Sequence, residues 1–497
     1  MAVRSGSDYL ESLRNSPREV WISGELITDV TKNIALAPMA NTIASLFDMQ
    51  LDPAYSDILT TKLASGDAKI GTSYLIPYSY EDIVKRRKAT RIWTEKTFGM
   101  VSRTPDYTNS GLMGLAQGRQ FLDNIDPVFG SNLQKYFEYA RANELFLAQA
   151  TVSPPNDRSK ASFEQADPTV HLHIVRERSD GLVISGAKML ATLGPLADEI
   201  MVFDTHIARQ GDERYSMAFA IPTGANGISQ ICRTPFENTQ SPERPLSSRF
   251  DEIDSLVIFE NVIVPWDRVF YYHKEGRPVP RGPLFQNSDW FSHTAHQTAI
   301  RLLVKMELLA GIVIALAQSV RSDQFTNVQL MISECLQFIE IIRACLARSE
   351  VECEIGPGGG MRPLAAPLQL IRTKMPDYYP RIVEIIQTIG AGALLMLPSS
   401  KDTDGSIQAT VAKFFAGADG VTAKTRIALL RLAWDISGDA FGTRQLQYER
   451  YFAGDPVKNK IALYYILDKS ESNRLLNSAL SLGSKSEDKP PVDALPT

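Results

Sequence analysis

Apolar positions along the first 150 residues recur at helical spacing. "DYLESLRN" (8–15), "NTIASLFDM" (41–49), "SYEDIVKRRKATRIWTEKTFG" (79–99) and "SNLQKYFEYARANELFLAQA" (131–150) each place them three and four apart, which predicts amphipathic helices. "TVSPPNDRSK" (151–160) breaks the rhythm with prolines and turn formers. From about residue 168 the period changes to two. "VHLHIVRE" and "LVISGAKML", joined by "RSDG", predict a hairpin, and "EIMVFDTH", "YSMAFAIPT" and "SLVIFENVIVP" continue as strands. No helix alternates with them, so a small antiparallel barrel or sandwich is expected rather than a parallel Rossmann sheet. From about residue 288 the helical spacing returns in four long segments, which begin at "SDWFSHTAHQ", "NVQLMISECL", "YYPRIVEIIQ" and "KTRIALLRLA". Four such helices predict a bundle, with "GPGGGMRP" (356–363) joining the second to the third. The expected organisation is α+β: an N-terminal helical domain (1–150), a middle antiparallel β domain (151–280), a C-terminal four-helix bundle (281–470) and a polar tail (471–497). The end of that tail, "GSKSEDKPPVDALPT", is expected to be disordered or to dock on a neighbouring subunit.

Composition narrows the class. The chain has 497 residues, enough for about three units at roughly 150 residues each. Apolar residues make up 44%, which supports a large core. The 52 basic and 57 acidic residues give a net charge of −5, which argues against nucleic acid as a partner. The longest apolar run, "LLAGIVIALA" (308–317), falls short of the ~20 residues of a membrane span and reads as a buried helix. The N-terminus lacks a signal-peptide core. Cys232, Cys335, Cys345 and Cys353 form no CxxC pair and read as free thiols in a reducing cytoplasm.

Nicotinamide and nucleotide fingerprints are missing. There is no GxGxxG between a strand and a helix, and no P-loop, HExxH or GxSxG. His171 and His173 alternate on a strand, and a solvated sheet face accounts for them better than a metal. Asp289, His293 and His296 share a helix face, but a histidine pair lining a cleft is preferred over a metal triad, with His293 or His296 a candidate base. No metal is expected. In "RTPDY" (103–107), Arg103 and Tyr107 stand four residues apart around Pro105, which limits local backbone freedom.

The order of helical block, β unit and helical bundle resembles the acyl-CoA dehydrogenase architecture. Six segments are more specific: "RTPDY", "ATLGPLADE" (191–199), "PLSSRFDEIDSLVIFENVIVPWDRVF" (245–270), "SHTAHQ" (292–297), "RLAWD" (431–435) and "YERYFAGDPV" (448–457). Together they resemble the 4-hydroxyphenylacetate 3-hydroxylase family, oxygenase components of two-component flavin monooxygenases. The resemblance runs from the N-terminus to about residue 470. It implies that reduced FAD (FADH2) comes from a separate NAD(P)H-flavin reductase, that dioxygen is trapped as a flavin hydroperoxide, and that one oxygen atom enters a small phenolic or other electron-rich aromatic. It also implies a homotetramer built on the bundle.

The resemblance further implies site residues. Arg103 and Tyr107 would lie beside flavin and substrate, the cation stabilising a phenolate or a developing oxygen charge and the phenol donating a hydrogen bond. Thr192 would hydrogen-bond the flavin ring. Gly454, Asp455 and Pro456 match a family turn near FAD, a generic turn being the competing reading for Asp455. Ser153 and Pro154 stand where the family has Asn-Pro-Gln. Gln149 replaces a histidine that binds the substrate hydroxyl, and an amide cannot take a proton near neutral pH. That departure puts the usual substrate in question and turns attention to His293 and His296. Competing readings are a 4-hydroxybutyryl-CoA dehydratase-like enzyme, an acyl-CoA dehydrogenase-like flavoenzyme and a catalytically silent binding subunit. The dehydratase carries cluster-binding cysteines around the places of Arg103 and Tyr107, and this chain does not.

Overall fold

Two serines begin their helices in the same way. Ser5 and Ser79 each accept a hydrogen bond from the amide three residues on, while Asp8 and Asp82 reach back to the serine's own amide. These capping boxes start the helices Gly6–Asn15 and Tyr80–Lys96. Pro105, Pro127 and Pro456 each occupy the first turn of a helix, where the missing amide costs nothing. The computed structural model describes residues 3–63, 68–204, 210–236, 241–273 and 288–482.

The β unit has two sheets. One runs, edge to edge, Glu25–Leu26, Glu19–Ile22, Ile228–Cys232, Asp254–Pro265, Gly181–Thr192 and His173–Glu177. The other runs Val269–Tyr272, Met217–Pro222, Glu199–Phe203 and Leu147–Ala150. The hairpin through "RSDG" is present, with Ile174 opposite Ile184 and Glu177 opposite Leu182.

Two features depart from expectation. The first 150 residues are not wholly helical, because Glu19–Ile22 and Leu147–Ala150 complete the two sheets. The sheets are not wholly antiparallel either, since those two strands pair in parallel, Val20 with Gln230 and Ala148 with Ile200. Each is only four residues long, too short for a period to be read.

The helices Trp290–Gln318, Thr326–Val351, Ala365–Gly390 and Ala423–Ser437 form the bundle. The third begins well before "YYPRIVEIIQ" and carries Pro376 and Pro380 in its interior. The connection through "GPGGGMRP" contains a small hairpin, Glu354–Ile355 with Met361–Arg362. Ala440–Tyr451, Pro456–Ile466 and Ser470–Ser481 extend the helical region, the last lying inside the expected polar tail. Residues 483–497 of that tail lie outside the described residues. One apolar core runs through all three regions, joining Tyr9 and Phe146 to Phe219 and Phe259 and on to Met306 and Ile385. Among the described residues no helix is long and apolar enough to cross a membrane.

Candidate active site between the β unit and the bundle

The helix Pro105–Gln117 is almost entirely buried, so its packing fixes whatever stands at its start. It lies against Trp290–Gln318 and the strand Leu147–Ala150. The approach is close: a Cβ on Gly111 would come within 2.5 Å of the Trp290 ring, and one on Gly114 within 2.8 Å of the Asp289 backbone. Thr104 donates to Asp106 at 2.6 Å, and Gln297 of the bundle donates to both residues at 3.2 Å. Burial raises the Asp106 pKa in spite of these bonds.

Arg103 leads into this helix. Its guanidinium carbon lies 4.1 Å from the Tyr107 ring centroid and 5.7 Å from that of Tyr448, in the range of cation–π attraction. Both Arg103 and Tyr107 are half-buried. No carboxylate among the described residues forms an ion pair with Arg103. Burial works against its charge, but Tyr448, Tyr107 and Glu252 outweigh burial and raise the pKa above the ordinary arginine value.

The backbone at this point is held by a carboxylate. Glu252, fully buried, accepts from the Ser102 amide at 2.7 Å, the Ser102 hydroxyl at 2.8 Å and the Arg103 amide at 2.9 Å. Arg444 bridges Glu252 at 3.0 Å and Asp254 at 3.0 and 3.1 Å. Asp254 accepts from the Thr192 hydroxyl at 2.6 Å. A continuous polar chain therefore links Thr192 on the β unit, through the bundle's Arg444, to the peptide that carries Arg103. Beneath it Glu449 binds Arg301 at 2.6 and 3.0 Å and Lys305 at 2.8 Å, all fully buried. Tyr448 sits beside Glu449 with its ring also facing Arg301 and Arg444, and burial pushes its pKa up to about 12.

Other expected residues divide. Gln149 is half-buried on a strand packed against the Tyr107 helix, and its amide has no partner among the described residues. Ser153 and Pro154 lie in the following loop, where the Pro154 carbonyl contacts His171 Nε2 at 2.9 Å. His171 and His173 are buried, not solvated. They lie inside because His171 also meets the Ser162 hydroxyl at 3.0 Å, and His173 Nδ1 meets the His171 carbonyl at 2.9 Å. Alternation gives the shared face but not what covers it.

Asp289, His293 and His296 do not converge. Asp289 pairs with Arg362 at 2.8 Å, and His296 Nε2 meets Glu350 on the neighbouring helix at 2.9 Å. His293 packs near Gly114 and burial, then Arg86, lowers its pKa well below the usual value. It is a weak proton acceptor, and His296 is tied to a carboxylate. Gly454 has φ +89°. Asp455 caps Pro456–Ile466, accepting from the amides of Val457 at 2.7 Å and Lys458 at 3.3 Å. The segment "HIARQGDERYS" (206–216), which joins two strands and is expected to form a loop over the substrate, lies partly outside the described residues.

Two family models cover nearly the whole chain. The 4-hydroxyphenylacetate 3-hydroxylase N-terminal model matches residues 5–271, and its C-terminal counterpart matches residues 282–481. The chain belongs to the 4-hydroxyphenylacetate 3-hydroxylase family. It is 36% identical to the 4-hydroxyphenylacetate 3-monooxygenase oxygenase component of Thermus thermophilus, over 94% of this chain and 95% of the relative. The corresponding oxygenase component of Geobacillus sp. (strain PA-9) is 34% identical, over 98% of both chains. A crystal structure of such an oxygenase component with FAD and 4-hydroxyphenylacetate superposes with a TM-score of 0.90 at 34% identity, covering 96% of this chain and 98% of that one. The protein is thus a monooxygenase of the two-component flavin-dependent class, and its helical block, β unit and bundle follow the expected acyl-CoA dehydrogenase-like order.

Glu252, Asp254, Arg444 and Tyr448 were not among the expected site residues. Glu252, Asp254 and Tyr448 lie in "RFDEID" and "YERYF", segments that carry the family resemblance, and Arg444 stands just before the second. Acidic residues in one and cations near the other required pairing across the fold to acquire meaning.

Proposed function

We propose that this 4-hydroxyphenylacetate 3-hydroxylase family member takes up reduced FAD from a separate NAD(P)H-dependent flavin reductase and, with dioxygen, hydroxylates a small phenolic or other electron-rich aromatic. The observation that carries this reading is the Arg103 guanidinium, stacked on Tyr107 between β unit and bundle with no carboxylate among the described residues paired to it. A half-buried cation whose donors are not taken up by a direct ion pair is suited to an anionic ligand.

The surrounding residues suit FAD. The Gln149 side-chain amide has no partner among the described residues, and the Thr192 oxygen keeps acceptor capacity after donating to Asp254. Reduced FAD, when bound, supplies the two electrons that activate dioxygen. Arg103 favours the phenolate form of an aromatic held beside it and steadies oxygen as negative charge grows there. Tyr107 adds a hydrogen bond. Gln149 orients a hydroxyl without changing its protonation. With His293 weakened by burial and His296 bound to Glu350, ionisation of the substrate rests on the cation rather than on a histidine base. The packed helix Pro105–Gln117 keeps bulk water from one side of the site.

Asp455 acts through its cap rather than through direct contact with the cofactor. Asp455→Ala is expected to cost about 1 kcal/mol of stability, read from the denaturant midpoint, with FAD affinity unchanged. Exposed apolar side chains on the final helices, among them Val457, Ile461, Tyr465 and Leu475, support contact with further copies of the chain through that face, in keeping with the homotetramer that the family resemblance implies.

The test mixes the protein with anaerobically reduced FAD and a panel of phenols, then admits isotopically labelled dioxygen. Product carrying one labelled oxygen atom is expected. Absence of reduced-flavin binding, with peroxide formed only as fast as from free flavin, would overturn the reading.

A further inference from the structure

Three guanidinia surround one ring beside Arg103. The Tyr448 centroid lies 5.7 Å from the guanidinium carbon of Arg103, 5.8 Å from that of Arg301 and 5.1 Å from that of Arg444. No other ring among the described residues faces more than one of the described cations. Phe452, one turn further along, stacks on Tyr448 with centroids 5.5 Å apart and planes 14° from parallel. Two of the three cations are matched by carboxylates, Arg301 by Glu449 and Arg444 by Glu252 and Asp254. Arg103 forms no ion pair among the described residues, and its guanidinium meets the faces of Tyr107 and Tyr448 instead. These contacts close a loop. The Arg103 amide donates to Glu252 at 2.9 Å, Glu252 accepts from Arg444 at 3.0 Å, Arg444 faces Tyr448, and Tyr448 faces the Arg103 guanidinium. Arg444 and Tyr448 stand four residues apart on the helix Ala440–Tyr451 and so share one face of it. That face ties down both the backbone and the side chain of Arg103.

We propose that Tyr448 is a positioning residue for Arg103, its ring holding the guanidinium from the bundle side while Tyr107 holds it from its own helix. The inference rests on the reading that Arg103 faces the aromatic substrate. A neutral ring suits this task. A carboxylate would hold Arg103 more firmly but would take up its charge, whereas a ring face attracts the cation and leaves that charge for a ligand. Burial keeps the Tyr448 phenol protonated, with its pKa pushed up to about 12. A guanidinium already fixed loses less freedom when it meets the substrate oxygen. Its aim also matters, since a misplacement of about 1 Å costs on the order of 100-fold in rate.

The test uses the full chain with three replacements of this residue. Tyr448→Leu removes the ring, Tyr448→Phe keeps it, and pentafluorophenylalanine in place of Tyr448 keeps the shape but reverses the charge of the ring face. Each protein is given reduced FAD under anaerobic conditions, then a phenol and dioxygen. The leucine and fluorinated proteins are expected to hydroxylate about 10-fold more slowly or worse, with KM for the phenol changing less than the rate constant and Tyr448→Phe restoring most of the rate. Bound 4-nitrophenol, which colours on ionisation, reports on the cation directly. Its ratio of phenolate to phenol at fixed pH should fall about 10-fold in the leucine and fluorinated proteins and recover in Tyr448→Phe. Wild-type rate and probe ionisation in the fluorinated protein would overturn the inference, whatever leucine does. So would an equal loss in Tyr448→Phe and Tyr448→Leu, which would move the role to the hydroxyl. A lowered denaturant midpoint in all three with probe ionisation intact would also overturn it, as the mark of packing alone. If the wild-type protein transferred oxygen to no phenol, the functional reading would fail and this inference with it.

Discussion

Arg103→Ala loses hydroxylation by on the order of 100-fold or more while the protein stays folded. The asymmetry follows from what the side chain touches. Its guanidinium stacks on Tyr107 and faces Tyr448, but it forms no ion pair among the described residues, so truncation strands no buried carboxylate there. The stability change should stay within ~1 kcal/mol, the scale of a cation–π contact. Its backbone amide, which holds the position through Glu252, survives the substitution. Arg103→Lys should recover only part of the activity, because an ammonium restores the charge but not the flat stacking surface. Product formation under reduced flavin, read beside the denaturant midpoint, separates the two effects. Turnover at the wild-type rate in Arg103→Ala would remove Arg103 from the site.

Glu449→Gln shows the opposite pattern, with the largest loss in stability. Among the described residues Glu449 is the carboxylate that pairs directly with Arg301 and Lys305 in the fully buried cluster. Neutralising it leaves two cations uncompensated in the core, a loss of about 3–5 kcal/mol. The pH dependence carries a definite sign. Burial alone would raise the Glu449 pKa, but Arg301 and Lys305 outweigh burial and hold it at about 2, below its ordinary value of 4.5. An acid depressed on folding contributes stability above the unfolded value and loses it as pH falls through the folded one. The gap between wild type and Glu449→Gln should therefore be full near neutral pH and close between about 4.5 and about 2. Denaturant midpoints taken across that range measure it. A gap that stayed constant with pH would show that Glu449 contributes by shape rather than by charge.

These two residues also mark what was legible in the chain and what was not. The spacing of Arg103 and Tyr107 around one helix start is a local matter, but the site role expected of them came from the family resemblance of six segments together and not from that spacing. The long bundle helices and the "RSDG" hairpin were legible locally, since their periods sit within a single segment. Glu252, Arg444 and Glu449 gain their roles only by pairing across the fold, Arg444 with Glu252 and Glu449 with Arg301, and no local spacing encodes such partners. The histidines err in the other direction. Their spacing on the helix from Trp290 suggested a shared cleft, yet His296 turns to Glu350 and His293 faces Gly114.

The two strands that pair in parallel have a consequence for anyone who would cut this protein into pieces. Glu19–Ile22 and Leu147–Ala150 close sheets whose other strands come later in the chain. A fragment trimmed to the middle third would bare both flanks, with Gln230 and Ile200 among the residues left unzipped, and exposed ladders of that kind recruit other chains. Excision would yield sticky material rather than a soluble module, so the polypeptide is an interlaced whole and not beads on a string.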